Sequence, residues 1–268
     1  MMKKLKIIFF ILIGLIIFLI GWENYYNNKI ETIIRKVIAS PERLEILKDS
    51  FSLNFQINYL NVFPIGKAFY HSIGLSQYNQ RSIYQLEMTA EDTFPFSWLK
   101  PAKAKIISYL DTSKMLPVYF STEIHMDDKI KEKNEIIYNQ EEGYIISEGK
   151  RYVIFPFTHE PLSLIFYLMR IKFDAYKGEE LNLNSNQANY RVKIEVLNKK
   201  EYRIEGRAYK VWEVNLLLRR RKGDIMRHSL DAKIYFLDTG DKNIPLLGKA
   251  YNNSGNIFFR LAKFDNLS

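Results

Sequence analysis

Four histidines, His71, His125, His159 and His228, are the first side chains to test for chemistry. No two of them stand at the i, i+3 or i, i+4 spacing that brings a pair of rings to one metal. The chain contains no cysteine, which excludes disulfides, Cys-ligated zinc, iron–sulfur clusters, a thiolate nucleophile and a lipidated-cysteine anchor. No metal and no cofactor are therefore expected. Ser163 is the one serine inside a motif, but no Gly-x-Ser-x-Gly elbow surrounds it, so it is read as a hydroxyl on a helix packed against strands. Nothing resembles a Gly-rich phosphate loop or a dinucleotide fingerprint. Paired carboxylates are the remaining route to catalysis, because glycan cleavage needs only two. The candidates, Glu123 with Asp127 or Asp128 and Asp231 with Asp238, sit among lysines and polar residues, where solvated salt bridges are expected. The reading is non-enzymatic, with no catalytic residue assigned and a glycan-active enzyme kept as an alternative.

The charged side chains are more informative about binding. Arg170, with Tyr167 one turn before it, closes an otherwise apolar run. It either snorkels to solvent or pairs with a buried carboxylate or a ligand headgroup. The formal charge is +9, and three of the lysines precede the first apolar segment. Between Lys199 and Lys233 lie 11 basic and 5 acidic residues, which accounts for the surplus of the remaining chain. Arg219, Arg220, Arg221 and Lys222 are read as the tip of a hairpin with arms Trp212–Leu218 and Ile225–Leu237. Such a tip is either a solvated turn or a contact for acidic lipid headgroups; nucleic acid is not expected as a partner.

The address comes from residues 1–22. Lys3, Lys4 and Lys6 precede an apolar run from Ile7 to Gly21, closed by Trp22, with Tyr25 and Tyr26 beyond. Lysines hold their end in the cytoplasm and aromatic residues suit the far interface. No small-x-small cleavage site follows the run. A single-pass inner-membrane signal-anchor is expected, with a signal peptide cleaved at an atypical site as the alternative; either places the rest in the periplasm or at the cell exterior.

Residues 23–50 are expected to form a helical stalk. Ile30, Ile33, Ile34, Val37 and Ile38 make one helix face, and Ser40-Pro41-Glu42 reads as the start of a second short helix. From Phe51 the period becomes two: Phe51, Leu53, Phe55, Ile57 and Tyr59 alternate with polar residues. Further strands are expected near 69–75, 83–89, 103–110, 117–125, 134–138, 144–147 and 151–155. A helix then opens at Thr158-His159-Glu160-Pro161. Strands return at 192–196, 212–218, 225–237, 246–251 and 256–264. The fold expected for 51–268 is mainly β: one curved antiparallel sheet forming an open or closed barrel with one packed helix.

The stretch Glu160-Pro161-Leu162-Ser163-Leu164-Ile165-Phe166-Tyr167-Leu168-Met169-Arg170 resembles the acidic, Leu-Ser, Tyr-x-x-Arg helix motif of the bacterial domain-of-unknown-function 3108 family. Gly66-Lys67-Ala68, Gly178, Asp238 through Pro245-Leu246, and Gly255-Asn256-Ile257 leading to Leu261 follow the same order. The chain departs from that pattern at Phe236-Leu237 and Asn243-Ile244. The resemblance implies an exported, β-rich protein and carries no chemistry with it. Its function is expected to be binding of a lipid-like or amphipathic ligand, or of an envelope-assembly partner. Acyl chains would lie on the sheet's concave face and Arg170, Tyr167 or Arg219–Lys222 would hold a headgroup. A scaffold with a filled barrel is the alternative.

Overall fold

The computed structural model describes residues 30–36, 38, 50–59, 63–93, 102–126, 129–185, 187–204, 206–222, 225–252 and 255–266. Contacts divide the chain into two units, 1–40 and 41–268. In the first, residues 30–36 form helix α1, and Ile34 and Ile38 of the expected apolar stripe are fully buried. The expected membrane segment 1–22 and the short helix from Ser40 lie outside the described residues. Among the described residues no helix is long and apolar enough to cross a membrane.

The second unit opens as a meander: β1 (Phe51–Tyr59), β2 (Phe63–Tyr78), β3 (Arg81–Asp92), β4 (Ala102–Asp111), β5 (Pro117–Met126), β6 (Lys129–Asn139), β7 (Tyr144–Ser147) and β8 (Lys150–Val153). After β9 (Thr158–His159) come helix α2 (Pro161–Arg170) and a 3-10 turn at Phe173–Ala175. A second meander follows: β10 (Glu180–Ser185), β11 (Ala188–Ile204), β12 (Arg207–Lys222), β13 (Ile225–Asp238), β14 (Asn243–Asn252) and β15 (Gly255–Asn266). All fifteen strands belong to one sheet, in which β1 pairs with β15 and the two ends of the order are β8 and β9. Every pairing is antiparallel except the short parallel contact of β9 with β10.

That order forces curvature. Laid flat, fifteen strands would hold β8 and β9 about 67 Å apart. The five links from Val153 to Thr158 span at most about 18 Å. The sheet must therefore curve until its ends lie within that distance, in line with the expected curved antiparallel sheet.

Alternation along the strands sets the concave face. On β12, Trp212, Val214 and Leu216 are buried while Glu213 and Asn215 between them are partly exposed; Leu218 further along is half-buried. At the start of β1 the alternation fails, because Phe51, Ser52 and Leu53 are all buried. Two glycines permit close approach. A Cβ on Gly66 would stand 2.7 Å from the Glu91 carbonyl oxygen, and one on Gly248 would enter the Phe259 ring.

Helix α2 touches β3 and β4 of the first meander and β10 and β14 of the second. Contact with both halves of a rolled sheet places the helix on its concave side. Leu162, Leu164, Phe166, Leu168 and Met169 are buried around it, so more than one face of the helix is covered. Each such side chain contributes roughly 1.5–3 kcal/mol by leaving water. Pro161 suits the first turn, and Ile171 in extended conformation ends the helix.

Candidate functional site

The entry to α2 carries the one fully buried carboxylate among the described residues. Glu160 accepts hydrogen bonds from Ser108 Oγ at 2.7 Å, Leu162 N–H at 2.7 Å and Ser163 N–H at 2.6 Å. The Ser163 hydroxyl answers by accepting the Glu160 N–H at 2.9 Å, closing a capping box with the two residue types exchanged. Burial pushes the Glu160 carboxyl up, against the pull of the Ser108 and cap hydrogen bonds. Next to it, His159 Nδ1 lies 3.3 Å from Ser163 Oγ, and burial lowers its pKa to about 4. A serine and an imidazole in contact could suggest a nucleophile and its base. Here both are buried and the hydroxyl is committed to the cap, in keeping with the structural role expected for Ser163. Tyr70 and Tyr138 are also buried, with hydroxyls that have no partner among the described residues. Burial, then the charge of Glu160, holds both phenols well above their usual range.

Arg170 does not reach that carboxylate. Glu160 and Arg170 stand at opposite ends of a ten-residue helix, roughly 15 Å apart. Arg170 is exposed, its guanidinium carbon 5.1 Å from the Phe166 ring centroid and 5.7 Å from that of Tyr84. Tyr167 is half-buried and faces His159, ring to ring at 5.2 Å. The two residues therefore do not converge on one pocket.

The expected basic tip is redrawn. Strand β12 continues through Lys222, with Arg219 opposite His228, Arg220 opposite Arg227, Arg221 opposite Met226 and Lys222 opposite Ile225. The four basic residues are therefore rungs of the ladder and not a turn.

Of the paired carboxylates, Asp231 and Asp238 lie seven residues apart on β13, roughly 24 Å along the strand. That exceeds the separation at which two carboxyls share one glycosidic bond. Glu123 pairs with Lys133 at 3.4 Å and His125 at 3.6 Å, while Asp127 and Asp128 lie outside the described residues.

Asp238 instead organises a cleft of about 430 Å³ at the C-terminal end of α2. It accepts Trp212 Nε1–H at 3.2 Å and Gly240 N–H at 2.9 Å. Lys199 Nζ lies 3.9 Å from the same carboxylate and 4.3 Å from the Trp212 ring centroid. Lys172, Lys210 and Lys242 also line the cleft, with Asp174 and Asp241 as further acids. At its floor Asn243 donates to the carbonyls of Leu168 at 3.2 Å and Ile171 at 2.6 Å, capping the helix from β14. Four lysines and three aspartates thus line the cleft, an excess of one positive charge. Sequence spacing could not reveal it, because its lysines come from four separate strands or turns.

A third feature is the seam between β8 and β9. The Gln140 carboxamide donates to Thr158 O at 2.8 Å and accepts Thr158 N–H at 3.2 Å. Asn182 donates to Pro156 O at 2.7 Å, Asn189 to Val153 O at 2.8 Å, and Gln187 to Ser147 Oγ at 3.1 Å. Side-chain amides thus take over where the strand ladder stops. The crossing loop has Ile154 turned inward, whereas Val153 is 75% and Phe157 66% exposed. Phe157 has φ +53°, a conformation that costs a bulky residue about 1–3 kcal/mol and persists only when its surroundings enforce it.

Comparison with known proteins fits this architecture. No curated protein matches the chain. A beta-barrel-like protein of domain of unknown function DUF1849 from Brucella abortus has a TM-score of 0.59 at 9% identity, covering 83% of this chain and all of that one, and so shares the fold. A protein from Bacteroides fragilis, described as exported and YmcC-like in fold, aligns at TM-score 0.35 and 9% identity over 82% of this chain and 97% of its own. The family profile called Protein of unknown function (DUF3108) matches residues 54–262, which include the α2 cap, the Asp238 turn and the seam. By that match, over most of its length, the chain belongs to the DUF3108 family.

Proposed function

We propose that this chain is a non-enzymatic, extracytoplasmic binding domain, held at the inner membrane by residues 1–22, whose envelope partner docks outside a filled barrel. One observation carries the choice between an internal and an external ligand. Helix α2 lies on the concave side of the sheet with Leu164, Phe166 and Leu168 buried against strands of both halves, where an acyl chain would have to lie. The address rests on the lysines before the apolar run and on the missing cleavage site after it.

Two measurements on the full chain test this. Native mass spectrometry of protein released from mild detergent should show no lipid retained in a fixed ratio; one lipid per chain that survives release would return the ligand to the interior. The protein should resist a carbonate wash and keep Met1. A mature N-terminus between Ile20 and Ser40 would remove the anchor.

A second reading is favoured by the Asp238 cleft, whose four lysines suit the headgroup of an anionic amphiphile. Saturable binding of inorganic phosphate, weakened by Lys210→Ala and by Lys172→Ala, is expected on that reading. Absence of such binding would discard it.

A further inference from the structure

We infer that the outer face of the barrel seam is a docking surface for an anionic lipid bilayer. Along residues 151–157 the side chains of Arg151, Val153, Phe155 and Phe157 follow one another at every second position, with Ile154 buried beneath them. Val153 and Phe157 are exposed and Phe155 between them is half-buried, and neighbouring exposed apolar side chains rimmed by charge mark interaction sites. Basic residues surround them. Arg191 and Arg221 stand over the Phe155 ring with guanidinium carbons 5.5 and 5.3 Å from its centroid. Arg219 is paired in register with Arg191, and both are exposed. Glu180 lies 3.4 Å from Arg191 and pairs with it at the edge of this patch.

Two features select a bilayer over a protein partner. Like charges directly opposite each other across a ladder destabilise it, and an anionic surface relieves the Arg191–Arg219 pair. Apolar side chains ringed by guanidinium groups also match the layered interface of a membrane, where rings enter the acyl boundary and cations meet phosphates. The loop is held ready for this. Gln140, Asn182 and Asn189 clamp its backbone, and Phe157 is kept in the left-handed region. Little ordering remains to be done on contact. This inference rests on the extracytoplasmic address proposed above and concerns a different surface from the N-terminal segment.

The absence of native cysteine makes the test direct. Phe157→Cys and Val153→Cys, each labelled with an environment-sensitive fluorophore, report the seam in the full chain reconstituted into vesicles. Ile257→Cys on β15 serves as a reporter elsewhere on the surface. In phosphatidylcholine vesicles containing phosphatidylglycerol, both seam probes should become shielded from an aqueous quencher while the β15 probe stays accessible. Shielding should vanish in pure phosphatidylcholine and in high salt. Each arginine removed should lower the docked-to-free ratio about fivefold, so Arg191→Gln with Arg221→Gln should lower it about 30-fold. Circular dichroism identifies any variant that fails to fold, and Arg219→Gln then supplies the measurement. Seam probes that stay accessible on anionic vesicles overturn the inference and leave the face to a protein. So does equal shielding on neutral and anionic lipid. Failure of the anchor would show separately, as loss of the chain from all vesicles alike.

Discussion

Gln140 meets both backbone hydrogen-bonding groups of Thr158, donating to its carbonyl at 2.8 Å and accepting its N–H at 3.2 Å. One side chain from the turn after β6 thereby acts as the missing strand beside β9. An amide copies the donor and acceptor pair of a peptide group, so it can complete a sheet where no strand fits. This contact, together with the β1–β15 ladder, brings the two ends of a long meander together.

Gln140→Ala should therefore cost about 1–3 kcal/mol, because Thr158 is fully buried and its N–H would be stranded. Amide exchange across residues 153–159 should accelerate more than exchange in β1. Denaturant titration and hydrogen exchange measure the two effects. A loss below about 0.5 kcal/mol would show that α2, not the clamp, closes the seam.

His159 and Glu160 predict opposite pH dependences from adjacent positions. Burial lowers His159 to about 4 from 6.5, so the unfolded chain binds more protons between these values and stability rises with pH there. From pH 7 to below 4 this loses roughly 3 kcal/mol. Glu160 is raised above 4.5, so the folded chain holds the extra proton, and stability falls as pH climbs from 4.5 through the raised value. His159→Gln should flatten the acid loss; Glu160→Gln should deepen it by removing the opposing slope. Melting curves from pH 3 to 8 decide, and two variants with the same profile as the parent would contradict both assignments.

Arg170→Ala should destabilise by about 1 kcal/mol. Exposed cation–π contacts with Phe166 and Tyr84, plus a positive charge at the helix C-terminus, are each worth that or less. A cost of 3–5 kcal/mol would mean that the guanidinium neutralises a buried acid after all.

Tyr138→Phe removes a buried hydroxyl that has no partner among the described residues. Stability should stay level or rise by up to about 1 kcal/mol, since the polar group no longer has to leave water unpaired. Tyr70→Phe should behave alike. Clear destabilisation in urea titrations of either variant would reveal a hydrogen bond to that oxygen.

Local pattern carried much of this protein. Period-two alternation of residue types marks β1 and β12, and on β12 burial follows it from Trp212 to Leu216 because a half-buried strand turns every second side chain to the core; Pro161 after Glu160 announces α2. The short strand β10 escaped because Leu181 and Leu183 among asparagines give too little apolar contrast to separate a strand from a loop. Arg219–Lys222 looked like a turn because charge suggests solvent, yet ladder hydrogen bonds are indifferent to which side chain they carry. What pattern could not supply was anything closed over distance. Gln140 and Thr158, Ser108 and Glu160, or Asn243 and Leu168 lie 18, 52 and 75 residues apart. Such pairs meet only once the sheet has rolled, and the roll follows from the strand order rather than from any single strand. The sequence alone determined that the chain makes strands and one inward helix. Tertiary structure decided that the helix packs against strands of both halves of the sheet, that Arg170 stays on the surface, and that Val153 and Phe157 are exposed at the seam.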